Sequence, residues 1–422
     1  MKTGPDQRMS KPEVSRFRNS LKQNICVEML QDSYYRSFSE LFSLLTSDRN
    51  RRAAAEPGSD TLLLTPLDQQ GATLETMRLH LRQAEEAENT ACWSVVCEQR
   101  LLLGLFFSSR EEDSLALHFF TSCAETERGG ASGHASEALV CMAEIYLQRG
   151  KHTHTHTHRE VHLCVCVCVG ELQRARLLAQ CCLLQADEGG WLDSGLRPLG
   201  VRVRGTLWRI CSRMADAHLE ASHLDLDRAL DLLQQGHTAA AESGDKQLES
   251  EACHQLGLTN QRAGRHCTAQ QFFKSCIQIY STLQDADGLG KTYKALASEG
   301  DTHDRLQCLE KMADLYLSSG QQSGLTDALL RVGSIYFKRG QYMRASEYFL
   351  QSFELSSELG DLSLLQKAQV WLGCARARAL IRGHSADVGG SSGAALQRLL
   401  TRKESRGLGP ETLPLPGSNA DE

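Results

Sequence analysis

Proline is scarce in this chain, with eight residues in 422. That scarcity, beside abundant Ala, Leu, Glu and Gln, favours helix over strand, since each proline removes a helical donor and clashes with the preceding turn. No stretch approaches the roughly 20 apolar residues a membrane-spanning helix needs. The N-terminus, MKTGPDQRMS, also lacks the apolar core of a secretory signal. No Cys-x-x-Cys pair occurs among the sixteen cysteines. They fall singly inside apolar helical patterns, as at Cys97, Cys123, Cys253 and Cys276, where a thiol behaves as a small hydrophobe and a reducing compartment is implied. Positive charge is not in excess: the net charge of -6 argues against a general nucleic-acid binder. With 41% hydrophobic residues, wholesale disorder is excluded as well. The expectation is a soluble cytoplasmic protein without nucleic-acid or membrane partners.

The ends differ from the middle. Residues 1–17 are polar and read as disordered, and 18–90 as a helical N-terminal segment. Within it, RNSLKQNICVEMLQDSYYRSFSELFSLL places Ile25, Met29, Phe38, Leu41, Phe42 and Leu45 at helical spacing. A polar connector, DRNRRAAAEPGSD, closes on a Pro-Gly turn. Residues 380–422 read as a flexible tail, SADVGGSSGAA followed by the short basic helix LQRLLTRKESRG.

Residues 91–379 repeat. LGLFFSSREEDSLALHFF from Leu103, LGLTNQRAGRHCTAQQFF from Leu256 and VGSIYFKRGQYMRASEYF from Val332 align, and LGCARA from Leu372 begins a fourth copy. Each carries a glycine where two helices would approach closely: Gly104, Gly257, Gly333 and Gly373. Alanine follows twelve residues on in the first three (Ala116, Ala269, Ala345), and phenylalanine four beyond that (Phe120, Phe273, Phe349). Gly264 and Gly340 fall where a turn would join the paired helices. Ala217, Gly257, Ala297, Gly333 and Gly373 are spaced 40, 40, 36 and 40 residues apart, so one unit is about a helical turn short. This pattern resembles the tetratricopeptide repeat, in its long-helix variety. It implies an all-α, right-handed superhelix of about seven helix pairs.

Residues 151–170, KHTHTHTHREVHLCVCVCVG, interrupt the repeat. Without them Ala175 falls twelve positions after Ala143, as Ala269 follows Gly257. CACACA encodes His-Thr and TGTGTG encodes Cys-Val, so both halves match one dinucleotide microsatellite read in two orientations. The insert therefore reads as a retained intron or mispredicted exon, or, if translated, as a disordered loop at a repeat turn. Transcript sequencing across Gly150–Glu171 decides between them. As chemistry, His152, His154, His156 and His158 would share one face of an extended strand, and Cys164, Cys166 and Cys168 a face of another. Such runs bind zinc or nickel adventitiously, but a structural zinc site needs four converging ligands and a spacing that permits the turn. No metal site is assigned.

Other motifs are weaker. DGLGKT at 287–292 ends like a phosphate-binding loop, yet Asp285 stands where its leading glycine belongs and no strand precedes it. Lone histidines such as His254 and His266 form no catalytic constellation, so neither catalytic nor cofactor-binding residues are assigned. Five residues after the glycine markers come Arg262, Lys338 and Arg378, near the predicted ends of first helices. This basic ladder would receive an acidic partner segment. The plainer alternative is a favourable interaction with the helix C-terminal dipole. The three residues do not match the asparagine/lysine pattern of chaperone-tail clamps.

The segment at 18–45, the AEE run at 84–86, AESGDKQLESEACHQLGL, VGSIYFKRGQYMRASEYF and the word KESRG at 403–407 together resemble an axonemal, flagellar family of tetratricopeptide proteins. The likeness is weak over 185–210 and absent from 151–170. It implies a non-enzymatic scaffold of motile cilia and sperm flagella, connected with axonemal dynein or intraflagellar transport. Two alternatives remain open at this stage: a cytoplasmic adaptor of the Pins-like kind that binds an extended regulatory peptide, and a metalloprotein centred on the insert.

Overall fold

In a computed structural model of the chain, the described residues are 19–55, 65–126, 132–152, 161–220, 225–298, 302–390 and 392–405, with the side chains of 151–152, 161–169, 302 and 405 set aside. The expected disorder at 1–17 lies outside them. The chain divides into two compact units, 1–259 and 260–422.

The first unit begins with α1 (Leu21–Gln31), whose start is set by a reciprocal capping box between Ser20 and Gln23. Helices α2 (Tyr35–Ala54) and α3 (Gly71–Asn89) pack against it; of the apolar stripe read from sequence, Ile25, Met29, Leu41 and Leu45 are buried, Phe38 is partly buried and Phe42 is exposed. Polar groups fix the register. Glu85, itself buried, accepts from the Ser37 amide at 2.8 Å and the Ser37 hydroxyl at 2.6 Å. Arg100 of α4 (Trp93–Ser108) reaches Glu40 of α2 at 3.1 Å and Glu88 of α3 at 3.2 Å, tying three helices together.

Helix pairs follow: α4 with α5 (Asp113–Thr126), α6 (Gly133–His152) with α7 (Val161–Gly189), and α8 (Leu199–Glu220) with α9 (Leu226–Glu242). The repeat residues explain the pairing. A Cβ added to Gly104 would collide with the Phe120 ring, and Phe107 stacks on Phe119 with centroids 5.6 Å apart. Small residues let the backbones close, and aromatics fill the space between pairs. The eight prolines stay out of the described helices; Pro66 and Pro198 stand immediately before helical segments.

Helix α10 (Lys246–Arg262) runs across the division into the second unit. There follow α11 (His266–Leu283), α12 (Ala286–Leu296), α13 (Thr302–Ser319), α14 (Gln322–Lys338), α15 (Tyr342–Leu359), α16 (Leu362–Gly389) and α17 (Gly393–Ser405). Gly264 and Gly340 turn the chain between paired helices with φ of +72° and +75°, a left-handed conformation that costs glycine least. The short repeat appears as a short first helix: α12 has 11 residues where α10 and α14 have 17.

Three expectations need correction. Gly373 is not a close-approach glycine, because an added Cβ there meets nothing within 4 Å; no aromatic of α17 faces it as Phe349 faces Gly333. Residues 380–389 are not flexible tail but the last turns of α16, where buried Asp387 pairs with Arg398 and Arg402 of α17 at 2.7 and 3.0 Å. Residues 161–170 are not a loop or a strand: they extend α7 at its start, since Val, Leu and Cys offer no breaker and each added residue gains a helical hydrogen bond. Residues 153–160, with His154, His156 and His158, lie outside the described residues. Gly288 and Gly290 of the DGLGKT segment serve packing, against the rings of Tyr280 and Tyr316, while Asp285 caps α12 by accepting from the Gly288 amide at 3.0 Å.

Candidate protein-binding site

The first unit holds a groove of about 670 Å³ lined by residues including Leu105 of α4, Glu144 of α6, the 193–198 connection, and Val201, Arg202 and Arg209 of α8. The connection is shaped by Asp193, whose carboxylate accepts from the amides of Gly195 and Arg197, both at 2.9 Å. An isolated antiparallel bridge pairs Leu192 with Pro198. Arg202 stands at the centre. Its guanidinium lies 2.7 Å from Glu144, 3.3 Å from Glu137 and 3.7 Å from Asp193, and donates to the Cys141 sulfur at 3.3 Å. Glu137 also accepts from the Ser194 amide at 2.9 Å and hydroxyl at 2.6 Å, so α6, the connection and α8 share one network.

The electrostatics make this a clamp rather than a reactive centre. Burial opposes the charge on Arg202, but its hydrogen bond to Glu144 and the nearby Cys141, Glu144 and Glu137 outweigh that and hold its pKa above the ordinary value. Burial pushes the Cys141 thiol up to about 12 against the pull of Arg202, and the Cys182 thiol likewise to about 12. Neither is a thiolate at neutral pH, so neither is an activated nucleophile. Among the described residues no group of three His, Cys, Asp or Glu side chains could hold a metal ion. No described helix is long and apolar enough to cross a membrane.

The basic ladder lies in the second unit. Arg262 and Lys338 occupy the last turns of α10 and α14 and are exposed. Arg378 is exposed too, but it stands eleven residues before the end of α16, because that helix runs on to Gly389. The helix-dipole alternative requires a last-turn position, which Arg262 and Lys338 have and Arg378 lacks. No described ion pair engages any of them. The Arg202 network went unread because Asp193, Ser194 and Arg202 lie in DEGGWLDSGLRPLGVRVRG, where the repeat pattern is weakest, and their partners Glu137, Cys141 and Glu144 are distant in sequence. Its one local signal was the alternation of Arg202 and Arg204 with valines on an otherwise apolar helix start.

The paired helices, the packing glycines and the left-handed turns are those of the tetratricopeptide-repeat fold, and such repeats indicate a protein-binding scaffold. The tetratricopeptide repeat family model matches residues 326–359, from within α14 to the end of α15. Among curated proteins the chain is similar to tetratricopeptide repeat protein 29: the Homo sapiens protein is 29% identical over 406 residues, covering 94% of this chain and 81% of that one. The Rattus norvegicus protein of that name is 28% identical over 259 residues, 61% of this chain and 50% of its own. Among solved structures, the apo form of RapI aligns with a TM-score of 0.36 at 12% identity, covering 67% of this chain and 98% of that chain. The TPR-like repeats of a putative kinesin light chain align with a TM-score of 0.35 at 13% identity, covering 53% and 97%.

Proposed function

We propose that the chain is a non-enzymatic scaffold or adaptor of the ciliary or flagellar axoneme, supporting flagellum assembly and motility by binding other proteins, with axonemal dynein or intraflagellar transport components as partners. The observation that carries this reading is the similarity to tetratricopeptide repeat protein 29 over 94% of the chain, which takes in the N-terminal helices as well as the repeats. Repeat residues alone would match any tetratricopeptide scaffold; α1 and α2, with RNSLKQNICVEMLQDSYYRSFSELFSLL, lie outside the repeat and tie the chain to the flagellar resemblance. On this reading Arg262, Lys338 and Arg378 receive an acidic segment of a partner, each contributing a charge-assisted contact.

A tagged chain expressed in a multiciliated cell tests the assignment. Axonemal signal with dynein or transport proteins captured by proximity labelling is the expected result. Diffuse cytosolic or mitotic cortical signal would favour the Pins-like adaptor and overturn it. Charge reversal at the ladder (R262E/K338E/R378E) is expected to lose an acidic partner while leaving helical content intact.

A further inference from the structure

The second unit carries a groove of opposite charge to the ladder. It runs between α13 and α15, the second helices of two successive pairs, with α14 as its floor, and has a volume of about 480 Å³. The floor is apolar: Leu325, Leu329 and Val332 line it. The walls are acidic. Glu310 and Asp314 come from α13, and Glu354 and Glu358 from α15; all four are exposed. No lysine or arginine lines the groove, and no described ion pair engages any of the four carboxylates.

This arrangement works against the helices that carry it. Each wall sets two carboxylates at i and i+4, a like-charge spacing that destabilises a helix. At other places the chain uses the same spacing for opposite charges, as in Arg331 with Asp327 at 2.9 Å and Arg52 with Asp48 at 2.9 Å. Leu317 is left 68% exposed on α13, beside the acidic pair. An apolar floor between two unneutralised acidic walls is complementary to one kind of surface: a ridge of apolar side chains flanked on both sides by cations.

We infer that this groove docks a basic amphipathic helix of a partner protein, its apolar ridge meeting Leu317, Leu325 and Leu329 and its lysines and arginines meeting the carboxylates of both walls. The occupant is opposite in sign to the acidic segment suited to the ladder, so one scaffold would hold two chemically distinct segments. The inference goes beyond the axonemal assignment and does not depend on it.

Fluorescence anisotropy on the purified full-length chain tests it, with a dye-labelled helical peptide carrying leucines on one face and lysines beside them. A second probe replaces the lysines with glutamates. The lysine probe is expected to bind saturably and to weaken as salt is added, and the glutamate probe not to bind. The variant E310Q/D314N/E354Q/E358Q is expected to weaken binding roughly tenfold or more, with circular dichroism unchanged because the four side chains are exposed. A control, E98Q/E188Q/D231N/E251Q, removes the same charge from exposed positions outside the groove and is expected to bind like the parent. Equal binding of the two probes, no binding, or equal weakening in both variants would overturn the inference. So would light scattering that shows dimers lost only in the groove variant, since that result assigns the groove to a second copy of the chain.

Discussion

Gly333 and Gly373 hold the same position in successive repeats, and the structure gives alanine opposite effects at the two sites. At Gly333 an added Cβ would sit 2.6 Å from Cε1 and 2.8 Å from Cδ1 of Phe349. That ring is fully buried and stacks on Trp371 with centroids 5.7 Å apart, so it has nowhere to swing. Overpacking of this kind costs about 1–3 kcal/mol. At Gly373 the added Cβ meets nothing within 4 Å. Both glycines lie inside helices, so each alanine also gains the helix-propensity difference, about 0.8–1 kcal/mol. That gain is common to both variants, and the difference between G373A and G333A isolates the packing cost at about 1–3 kcal/mol. G373A should therefore be stabilised by up to about 1 kcal/mol and G333A should be the weaker of the pair. Urea unfolding followed by far-ultraviolet circular dichroism reads both on one scale. Equal midpoints, or a G333A variant more stable than G373A, would refute the close-packing account of the repeat.

Further outcomes follow from the first unit. Replacing Arg202 with methionine keeps most of the side-chain volume but strips a cation from buried Glu137 and Asp193, and is expected to cost about 3–5 kcal/mol in the same assay; a cost below about 1 kcal/mol would mean the network is not under strain of burial. Asp48 is opposed by burial, but hydrogen bonds from Arg51, Arg52 and the Leu67 amide outweigh it and hold its carboxyl below the usual aspartate range. A depressed carboxylate contributes stability above its unfolded pKa and loses it as pH falls through the folded one, so thermal stability should drop below about pH 4, and D48N should flatten that acid limb. An unchanged limb would assign the acid sensitivity elsewhere. The Cys141 and Cys182 thiols, both raised to about 12, should resist a thiol-specific reagent at pH 8 in the native chain while exposed Cys92, Cys267 and Cys374 react, as peptide mass mapping would record. Early labelling of Cys141 would contradict its burial.

What could be read from sequence was what repeats. Gly104 with Phe120, Gly333 with Phe349, and the turns at Gly264 and Gly340 are local consequences of one packing rule, so a 40-residue spacing exposes them. Gly373 misled because the same glycine stands in the last first helix, where the partner aromatic is missing; a pattern shows a position and not its neighbour. The Arg202 network depends on contacts between residues 58 to 65 apart with no periodic signature. The acidic groove was invisible for a similar reason: only the fold places Glu354 and Glu358 of α15 opposite Glu310 and Asp314 of α13. The Cys-Val run drew attention through its chemistry, yet its backbone joined the neighbouring helix, since composition without a breaker does not end a helix.

The central claim, an axonemal scaffold, is tested most directly by detergent extraction of a multiciliated cell expressing the tagged chain. The account predicts that the tag stays on the extracted axonemes and captures dynein or transport components by proximity labelling. Complete release of the tag with the soluble cytosol, with no axonemal protein labelled, would contradict it.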